Sequence, residues 1–389
     1  MDGEGYGAWR SITAPDAVSL VFGFPYPESF PNEELVAAAR AVFDEEGDVA
    51  LQYTGGEYAG ALADVVAEHA RDRGVDCDPG DVVLTNGSTR AIDAVCRTFL
   101  EPGDGVFAEA PTFMGALNLF RGYDAAVTGL PTDADGLDVG ALETELAARR
   151  AAGRPAPKLL YTIPTFQNPT GATMPLERRR RLLELAAEYD FVVLEDDAYG
   201  ALRYDGDPVP PLKALDEEGR VVRVGTFSKT IAPGVRTGWV VAEGEIREQV
   251  ERMNPGGTNT FTRGVLARYC REGHFERNVE AFRGEYERRR DRMLDALDAH
   301  MPPEATWTDP DGGFFVWVTL PEGLDSAALL PEAAEEGVLY LPGEHFYPDG
   351  GDERGERGLR LSFSYAAPDE IDRGIEGLAR ACQRVLDAR

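Results

Sequence analysis

Short apolar runs alternate with longer amphipathic stretches from about residue 58 onwards. The runs are nearly continuous in hydrophobic residues, whereas the stretches between them repeat their apolar positions at helical spacing. Continuous hydrophobic strands are typical of a mostly parallel sheet that helices cover on both faces. The predicted strands are 81–85, 105–109, 158–162, 191–195, 220–225 and 237–242, and the predicted helices include 89–100 and 176–189.

The pattern changes after about residue 275. A long charged helix is predicted over 282–299, followed by the apolar run 313–318, a short helix and a strand over 359–363. Near the N-terminus, the proline-rich segment 25–31 predicts an extended arm that leads into a helix over 32–45. The sequence therefore predicts three parts. They are an N-terminal arm and helix belonging to the small domain (1–45), a large domain (46–275) and a small C-terminal α+β domain (276–389).

The charge of the chain restricts its partners. Its 389 residues include 69 acidic and 39 basic side chains, a formal net charge of −30. Such a charge repels nucleic acid and anionic lipid, so neither is predicted as a partner. The acid is spread along the chain and lysine is nearly absent, which favours adaptation to high salt. The alternative is an acidic protein whose genome prefers arginine codons.

The termini and cysteines predict a cytoplasmic protein. The acidic N-terminus has no apolar segment, so no signal peptide is predicted. The cysteines Cys77, Cys96, Cys270 and Cys382 lie far apart and form no CxxC pair. They are therefore predicted to be buried free thiols of a reducing compartment, with no metal site and no disulfide.

Polar and aromatic side chains follow successive predicted strands, where doubly wound sheets bind ligands. They are the segment Thr85–Thr89 at a helix start, Phe113, the segment 163–171 with Asn168, the acids Glu195, Asp196 and Asp197, and Ser228–Lys229 followed by Arg236. Lys229 is one of only three lysines in the chain. Each feature alone has a simpler explanation. The hydroxyls suit N-caps, the ring suits packing, and of the three acids one is expected to meet a cation while the others could be solvated.

Taken together, the same features describe a pocket for pyridoxal phosphate. Lysine can form an imine with the aldehyde of this cofactor, and a carboxylate can pair with its ring nitrogen. An aromatic side chain can stack on the ring, and N–H groups at a helix start can bind the phosphate.

The chain resembles the class I and II aminotransferases, pyridoxal phosphate enzymes of fold type I. Within them it is most similar to the branch of 2-aminoadipate and kynurenine aminotransferases and MocR-related proteins. The motifs run in family order over nearly the whole chain. They are LQYT (51–54), TNGST (85–89), EAPTFMGAL (109–117), PTFQNPTG (164–171), LEDDAYG (194–200), TFSKTIAPGVRTGW (226–239), GGFFVW (312–317) and LRLSFS (359–364). The implied fold is α/β, with a mostly parallel mixed sheet between helices and a smaller α+β domain.

The resemblance implies how the cofactor is held. Lys229 would carry it as a Schiff base, Asp196 would pair with the pyridine nitrogen, and Tyr199 would bind the ring hydroxyl together with Asn168. The remaining residues implied to bind the cofactor are Phe113 stacked on the ring, and Gly87, Ser88, Thr89, Thr226, Ser228 and Arg236 at the phosphate.

Two further implications concern the substrate and the second subunit. Arg360 would bind the substrate α-carboxylate, with Asn168 and the backbone of Gly23 in support. Tyr53 would reach the phosphate of the other subunit in a homodimer.

The implied reaction moves an amino group from an L-amino acid to a 2-oxo acid, 2-oxoglutarate being the expected acceptor, with ping-pong kinetics. A β-lyase or decarboxylase on the same fold is the alternative. A sensor like the effector domain of MocR regulators is disfavoured by the net charge and by the short segment before Gly23. The side chain of the donor stays open, because Phe314, Phe315, Trp317 and Tyr26 suit an apolar pocket or a core equally well.

Overall fold

The computed structural model describes residues 17–348 and 353–388; residues 1–16 of the predicted N-terminal part lie outside them. In chain order the strands are β1 (Val18–Ser19), β2 (Val82–Thr85), β3 (Gly105–Ala110), β4 (Ala126–Asp133), β5 (Gly136–Leu137), β6 (Leu159–Thr162), β7 (Val192–Asp197), β8 (Val221–Thr226), β9 (Gly238–Val241), β10 (Thr306–Trp307), β11 (Phe315–Thr319), β12 (Val338–Leu339), β13 (Leu341–Pro342) and β14 (Gly358–Ser362). The helices are α1 (Asn32–Glu46), α2 (Glu57–Arg71), α3 (Ser88–Phe99), α4 (Met114–Gly122), α5 (Val139–Ala151), α6 (Leu176–Tyr189), α7 (Gly244–Met253), α8 (Thr260–Arg271), α9 (His274–His300), α10 (Ser326–Glu335), α11 (Glu353–Arg357) and α12 (Pro368–Asp387).

The large sheet confirms the predicted mixed, mostly parallel arrangement. Its strand order is β2-β9-β8-β7-β6-β3-β4-β5. The strands β8, β7, β6, β3 and β4 run parallel, while β9 is antiparallel to both β2 and β8. The carboxyl ends of the parallel strands therefore lie along one edge of the sheet, where the polar segments of the sequence follow them.

Helices cover both faces of this sheet. Alternate residues of each strand point to opposite faces, so the helices bury both sets of side chains. Leu194 of β7 and Tyr161 of β6 belong to a buried cluster with residues of α3 and α4. Val193 and Leu160, one position earlier in each strand, belong to a second cluster with residues of α5 and α6. The continuous hydrophobic strands of the sequence are thus explained by burial on both faces.

The C-terminal part contains a second, smaller sheet of order β10-β11-β14-β13, antiparallel throughout. Most of its buried apolar side chains share one cluster with residues of α9, α10 and α12, while Trp317 and Leu341 belong to another. The predicted helix over 282–299 starts earlier, at His274. Its first two turns contain the apolar Phe275 and the buried Val279 among polar residues, and Asn278 there donates a hydrogen bond to the carbonyl of Thr230 at 2.8 Å.

The N-terminal segment contacts both parts of the molecule. Strand β1 pairs in parallel with β12 of the C-terminal part. The buried Ala38 of α1 instead joins a cluster with residues of α2 and α8. The division at residues 45 and 275 stays a prediction, and the packing of α1 does not follow it.

Other local predictions can be compared with the structure. Helix α6 has both its predicted ends, Leu176 and Tyr189. The arm over 25–31 is not extended throughout, because Pro27–Ser29 form a single 3-10 turn. The four cysteines are buried free thiols, as predicted. Among the described residues, no helix combines the length and apolar character that a bilayer span requires.

Candidate active site

Lys229 lies in a rigid turn beyond the end of β8. The hydroxyl of Thr226 accepts the backbone N–H of Ser228 at 3.1 Å and donates a hydrogen bond to Ser228 Oγ at 2.9 Å. The Lys229 amine donates to the carbonyl of Gly23 at 2.8 Å. Burial, together with the nearby Arg360 guanidinium, lowers the pKa of Lys229 to about 8. A substantial fraction of this amine is therefore unprotonated, and able to act as a nucleophile or base, near neutral pH.

The three acids at the end of β7 are all buried, so none of them is a solvated loop residue. Asp197 meets two cations: Arg73 at 2.5 Å, and Arg223 at closer range. Glu195 accepts the backbone N–H groups of Leu212 and Lys213 at 2.8 and 3.0 Å. Cations hold Asp197 and backbone N–H groups hold Glu195, whereas Asp196, between them, has a partner for only one of its oxygens among the described residues.

Asp196 faces the opposite side of the strand from Asp197. Its Oδ2 accepts a hydrogen bond from the hydroxyl of Tyr161 at 2.7 Å. Its Oδ1 is buried and has no hydrogen-bond partner among the described residues. Burial raises the pKa of Asp196 to about 7, against the effect of the Tyr161 hydrogen bond. One carboxylate oxygen is thus free for a donor that the described residues do not supply.

Arg360 of β14 lies in the same pocket. It donates to Asn168 Oδ1 at 2.8 Å and to the carbonyl of Val21 at 2.7 Å. Its guanidinium lies over the ring of Phe315, 4.1 Å from the centroid, and its buried Nε has no partner among the described residues. Tyr199 hydrogen-bonds to Asn168, and burial raises the pKa of its hydroxyl. A cation with unused donor capacity can bind a carboxylate here.

The start of α3 and the guanidinium of Arg236 form a cradle for an anion. Gly87 precedes the helix with a φ of +87°, a conformation that L side chains rarely adopt. A Cβ on Gly87 would lie 2.7 Å from Nη2 of Arg236, so a side chain would displace that guanidinium. Ser88 and Thr89 open the helix, whose free N–H groups favour a phosphate.

Two further residues were predicted to bind the cofactor, Phe113 and Tyr53. The side chain of Phe113 is half-buried at the start of α4 and lies against Gly115, where a Cβ would come within 2.4 Å of the ring. Its stacking on a cofactor stays a prediction. Tyr53 is fully exposed, so it contributes nothing to the pocket of its own chain.

The donor set fits pyridoxal phosphate. The free Oδ1 of Asp196 suits the protonated ring nitrogen, and the cradle at Gly87 and Arg236 suits the phosphate. The Lys229 amine suits the aldehyde. Each of these observations is independent of the sequence motifs.

The structure also adds residues that sequence reasoning missed. Tyr161 contacts Asp196, and the pair Arg73 and Arg223 holds Asp197. Arg223 had a visible signal, because it is a charged residue inside the apolar run of β8. Tyr161 had none, since an aromatic residue in a strand is ordinary packing.

Comparison with known proteins gives a consistent result. The family model "Aminotransferase class I and II" matches residues 25–378. Aromatic-amino-acid aminotransferase 1 of Thermococcus litoralis is 41% identical over 97% of this chain and 90% of its own length.

Solved structures show the same likeness. A kynurenine aminotransferase from Pyrococcus horikoshii, in complex with PMP, kynurenine substrate and its product KYA, matches with a TM-score of 0.90 and 42% identity, over 95% of this chain and 92% of that one. The alpha-aminoadipate aminotransferase of Thermus thermophilus, complexed with N-(5'-phosphopyridoxyl)-L-leucine, matches with a TM-score of 0.87 and 35% identity, over 99% of both chains. These matches confirm the resemblance, the fold and the cofactor expected from the sequence.

Proposed function

Because this chain belongs to the class I and II aminotransferases and uses pyridoxal phosphate, we propose that it moves the amino group of aromatic L-amino acids to 2-oxoglutarate. The reaction class is that of the family. The donor is proposed from the relatives, one of which is an aromatic-amino-acid aminotransferase and another a kynurenine aminotransferase. The acceptor and the ping-pong order of the two half-reactions are part of the proposal.

One observation carries this proposal: a single short segment positions both the amine and the guanidinium of the pocket. The carbonyl of Gly23 accepts from Lys229, and the carbonyl of Val21 accepts from Arg360. A substrate whose α-carboxylate binds Arg360 therefore has its α-carbon directed towards the Lys229 amine. Amino and 2-oxo acids share this carboxylate, so one site can serve both half-reactions.

Lys229 supplies the base. Pyridoxal phosphate, when bound, supplies the aldehyde that takes up the amino group and a ring that accepts the electrons of the substrate Cα–H bond. Once free, the Lys229 amine would remove the proton from that α-carbon and hold it. The low pKa of Lys229 keeps part of this amine unprotonated for that step.

The other residues hold and orient the cofactor and the substrate. Asp196 offers Oδ1 to the ring nitrogen, and Asn168 and Tyr199 stand at the side of the pocket that faces Arg360. Arg236 and the start of α3 anchor the phosphate, so that the reacting carbon stays beside Lys229.

The test is a screen of amino donors with 2-oxoglutarate and pyruvate as acceptors, in which the oxo-acid product is measured. We expect the highest kcat/KM with an aromatic donor and 2-oxoglutarate, and parallel lines in double-reciprocal plots. Repeated turnover of the donor without any added oxo acid would instead indicate a lyase or decarboxylase.

We also propose that the protein acts as a homodimer with shared sites. Tyr53 is fully exposed, and the large apolar side chains of Val49, Leu51 and Phe43 nearby in the chain are exposed as well. A second copy that covered them would bring Tyr53 to the partner's phosphate cradle. Mixing Tyr53→Ala with Lys229→Ala chains should restore part of the activity, since one site of the mixed dimer is then intact.

The net charge of −30 supports the proposal that the protein functions at high ionic strength, where salt screens the repulsion between its negative charges. Activity and melting temperature should both rise with KCl concentration. A maximum at low salt would contradict this adaptation. The cytoplasmic location stays a prediction.

A further inference from the structure

The two oxygens of Asp196 have different surroundings. Oδ2 accepts the hydroxyl of Tyr161 at 2.7 Å, while Oδ1 is buried without a partner among the described residues. Tyr161 is itself fully buried in β6, the neighbouring strand, and Phe120 packs edge-on against its ring at 5.6 Å between centroids. This packing holds the ring so that its hydroxyl oxygen lies at Asp196.

The groups around Asp196 have opposite effects on the ionisation of its carboxyl group. Asp197 and Glu109 are like charges that disfavour its ionised form, as does burial, whereas Lys229 favours it. Tyr199 also lies near enough to Asp196 for the two to interact. Of these groups, only Tyr161 makes a recorded hydrogen bond to the Asp196 carboxylate.

We propose that Tyr161 is a positioning residue: its hydroxyl turns Asp196 so that Oδ1 meets the cofactor ring nitrogen, and keeps the proton between them on the nitrogen. A donor to Oδ2 stabilises the negative carboxylate more than the neutral acid. Without it, Asp196 becomes more basic and competes for the ring proton. A ring without that proton is a weaker acceptor of electrons from the substrate.

The variant Tyr161→Phe tests this directly, because it removes only the hydroxyl. The protein is loaded with pyridoxal phosphate labelled with 15N in the ring, and the nitrogen resonance is followed by NMR. We expect a wild-type resonance of a protonated pyridine and a shift towards the unprotonated value in the variant. The kcat should fall about 10- to 100-fold, the loss of one hydrogen bond to a charged group, with KM changed about twofold or less.

Tyr340→Phe is the matched control. Tyr340 is equally buried, and its hydroxyl donates one hydrogen bond of 2.6 Å, to the carbonyl of Ser326 in the C-terminal part. This variant should lose comparable stability and leave the ring resonance and kcat unchanged. A purely structural role for Tyr161 would make the two variants alike, and that result would overturn the inference.

A second variant covers the case in which Tyr161→Phe does not fold. Site-specific 3-fluorotyrosine at position 161 keeps the ring and makes the hydroxyl a stronger donor. It should move the resonance towards, or hold it at, the fully protonated value. Movement in the opposite direction, or an unprotonated ring in the wild-type protein, would contradict the inference.

This inference rests on the proposed function only for the expected change in kcat. A protein that binds the labelled cofactor but has no aminotransferase activity would refute the proposed function, and the NMR comparison would still decide the role of Tyr161.

Discussion

Asp196 and Asp197 are neighbours in one strand, yet the two faces of the sheet give them opposite properties. Both are buried. Arg73 and Arg223 outweigh the cost of burial for Asp197 and lower its pKa to about 2. On the other face, burial raises the pKa of Asp196 to about 7, and one of its oxygens has no partner among the described residues.

The buried Lys213 and the partly buried Lys229 repeat this contrast. Lys213 forms ion pairs with Asp216 at 3.1 Å and Glu243 at 2.9 Å. The Lys229 amine makes no ion pair among the described residues and donates one hydrogen bond, to the carbonyl of Gly23, and burial lowers its pKa to about 8. Groups whose charges are matched inside the chain stabilise the fold, whereas unmatched groups mark the place where a ligand completes the set.

The lysine pair should give the largest difference. Lys229→Ala removes both the attachment point of the cofactor and the base, so turnover should fall about 10⁴-fold or more. Lys213→Ala should retain turnover and lower the melting temperature, because Asp216 loses a buried partner. Assays of oxo-acid production and of thermal unfolding measure these effects in both variants. Equal activities of the two variants would contradict the different roles of the two lysines.

The aspartate facing the site should control catalysis. Asp196→Asn removes the anionic partner of the ring nitrogen, and kcat should fall about 10²- to 10³-fold. The melting temperature should change little, because no ion pair is lost with this carboxylate. Steady-state kinetics at saturating donor provide the test; a kcat near the wild-type value would remove Asp196 from the mechanism.

The aspartate on the other face should control stability. Asp197→Asn leaves the buried Arg223 and the half-buried Arg73 without their shared carboxylate, and should lower the free energy of unfolding by about 3–5 kcal/mol. The pKa of Asp197 is lowered on folding, so its contribution is fully present above the unfolded pKa of about 3.9. It is lost as the pH falls towards 2. Urea unfolding at several pH values should show this loss in the wild-type protein only.

The smallest expected effect concerns the charge near Lys229. The Arg360 guanidinium is one of the groups that lower the pKa of Lys229, so Arg360→Gln should raise that pKa by about one unit. The pH dependence of acylation of Lys229 in cofactor-free protein measures it. Arg236→Gln should give a smaller rise, since Arg236 has the weaker influence. A fall in either variant would contradict the electrostatic account.

The sequence contains enough to predict the sheet and most of the pocket. Both ends of helix α6 could be predicted because Pro175 directly precedes its first residue and Asp190 directly follows its last. In the structure Asp190 ends the helix in the left-handed conformation, with a φ of +60°. Lys229 and Asp196 were predictable because parallel strands bring polar residues at their ends to one edge.

The partners of the acids could not be predicted in this way. Tyr161 and Asp196 are 35 residues apart, and Arg73 and Asp197 are 124 residues apart. Strand periodicity assigns Asp196 and Asp197 to opposite faces, but only the packed chain determines which face carries the guanidinium groups. Tyr53 shows the same limit, because its neighbour in the proposed dimer belongs to another chain.

The covalent attachment of the cofactor tests the central claim most directly. The protein is incubated with pyridoxal phosphate, reduced with borohydride, digested and mapped by mass spectrometry. The chain has only three lysines, Lys158, Lys213 and Lys229, so the assignment is unambiguous. The account predicts the added mass on the peptide that contains Lys229 and on neither of the others; added mass on Lys158 or Lys213 instead, or on no lysine, would contradict it.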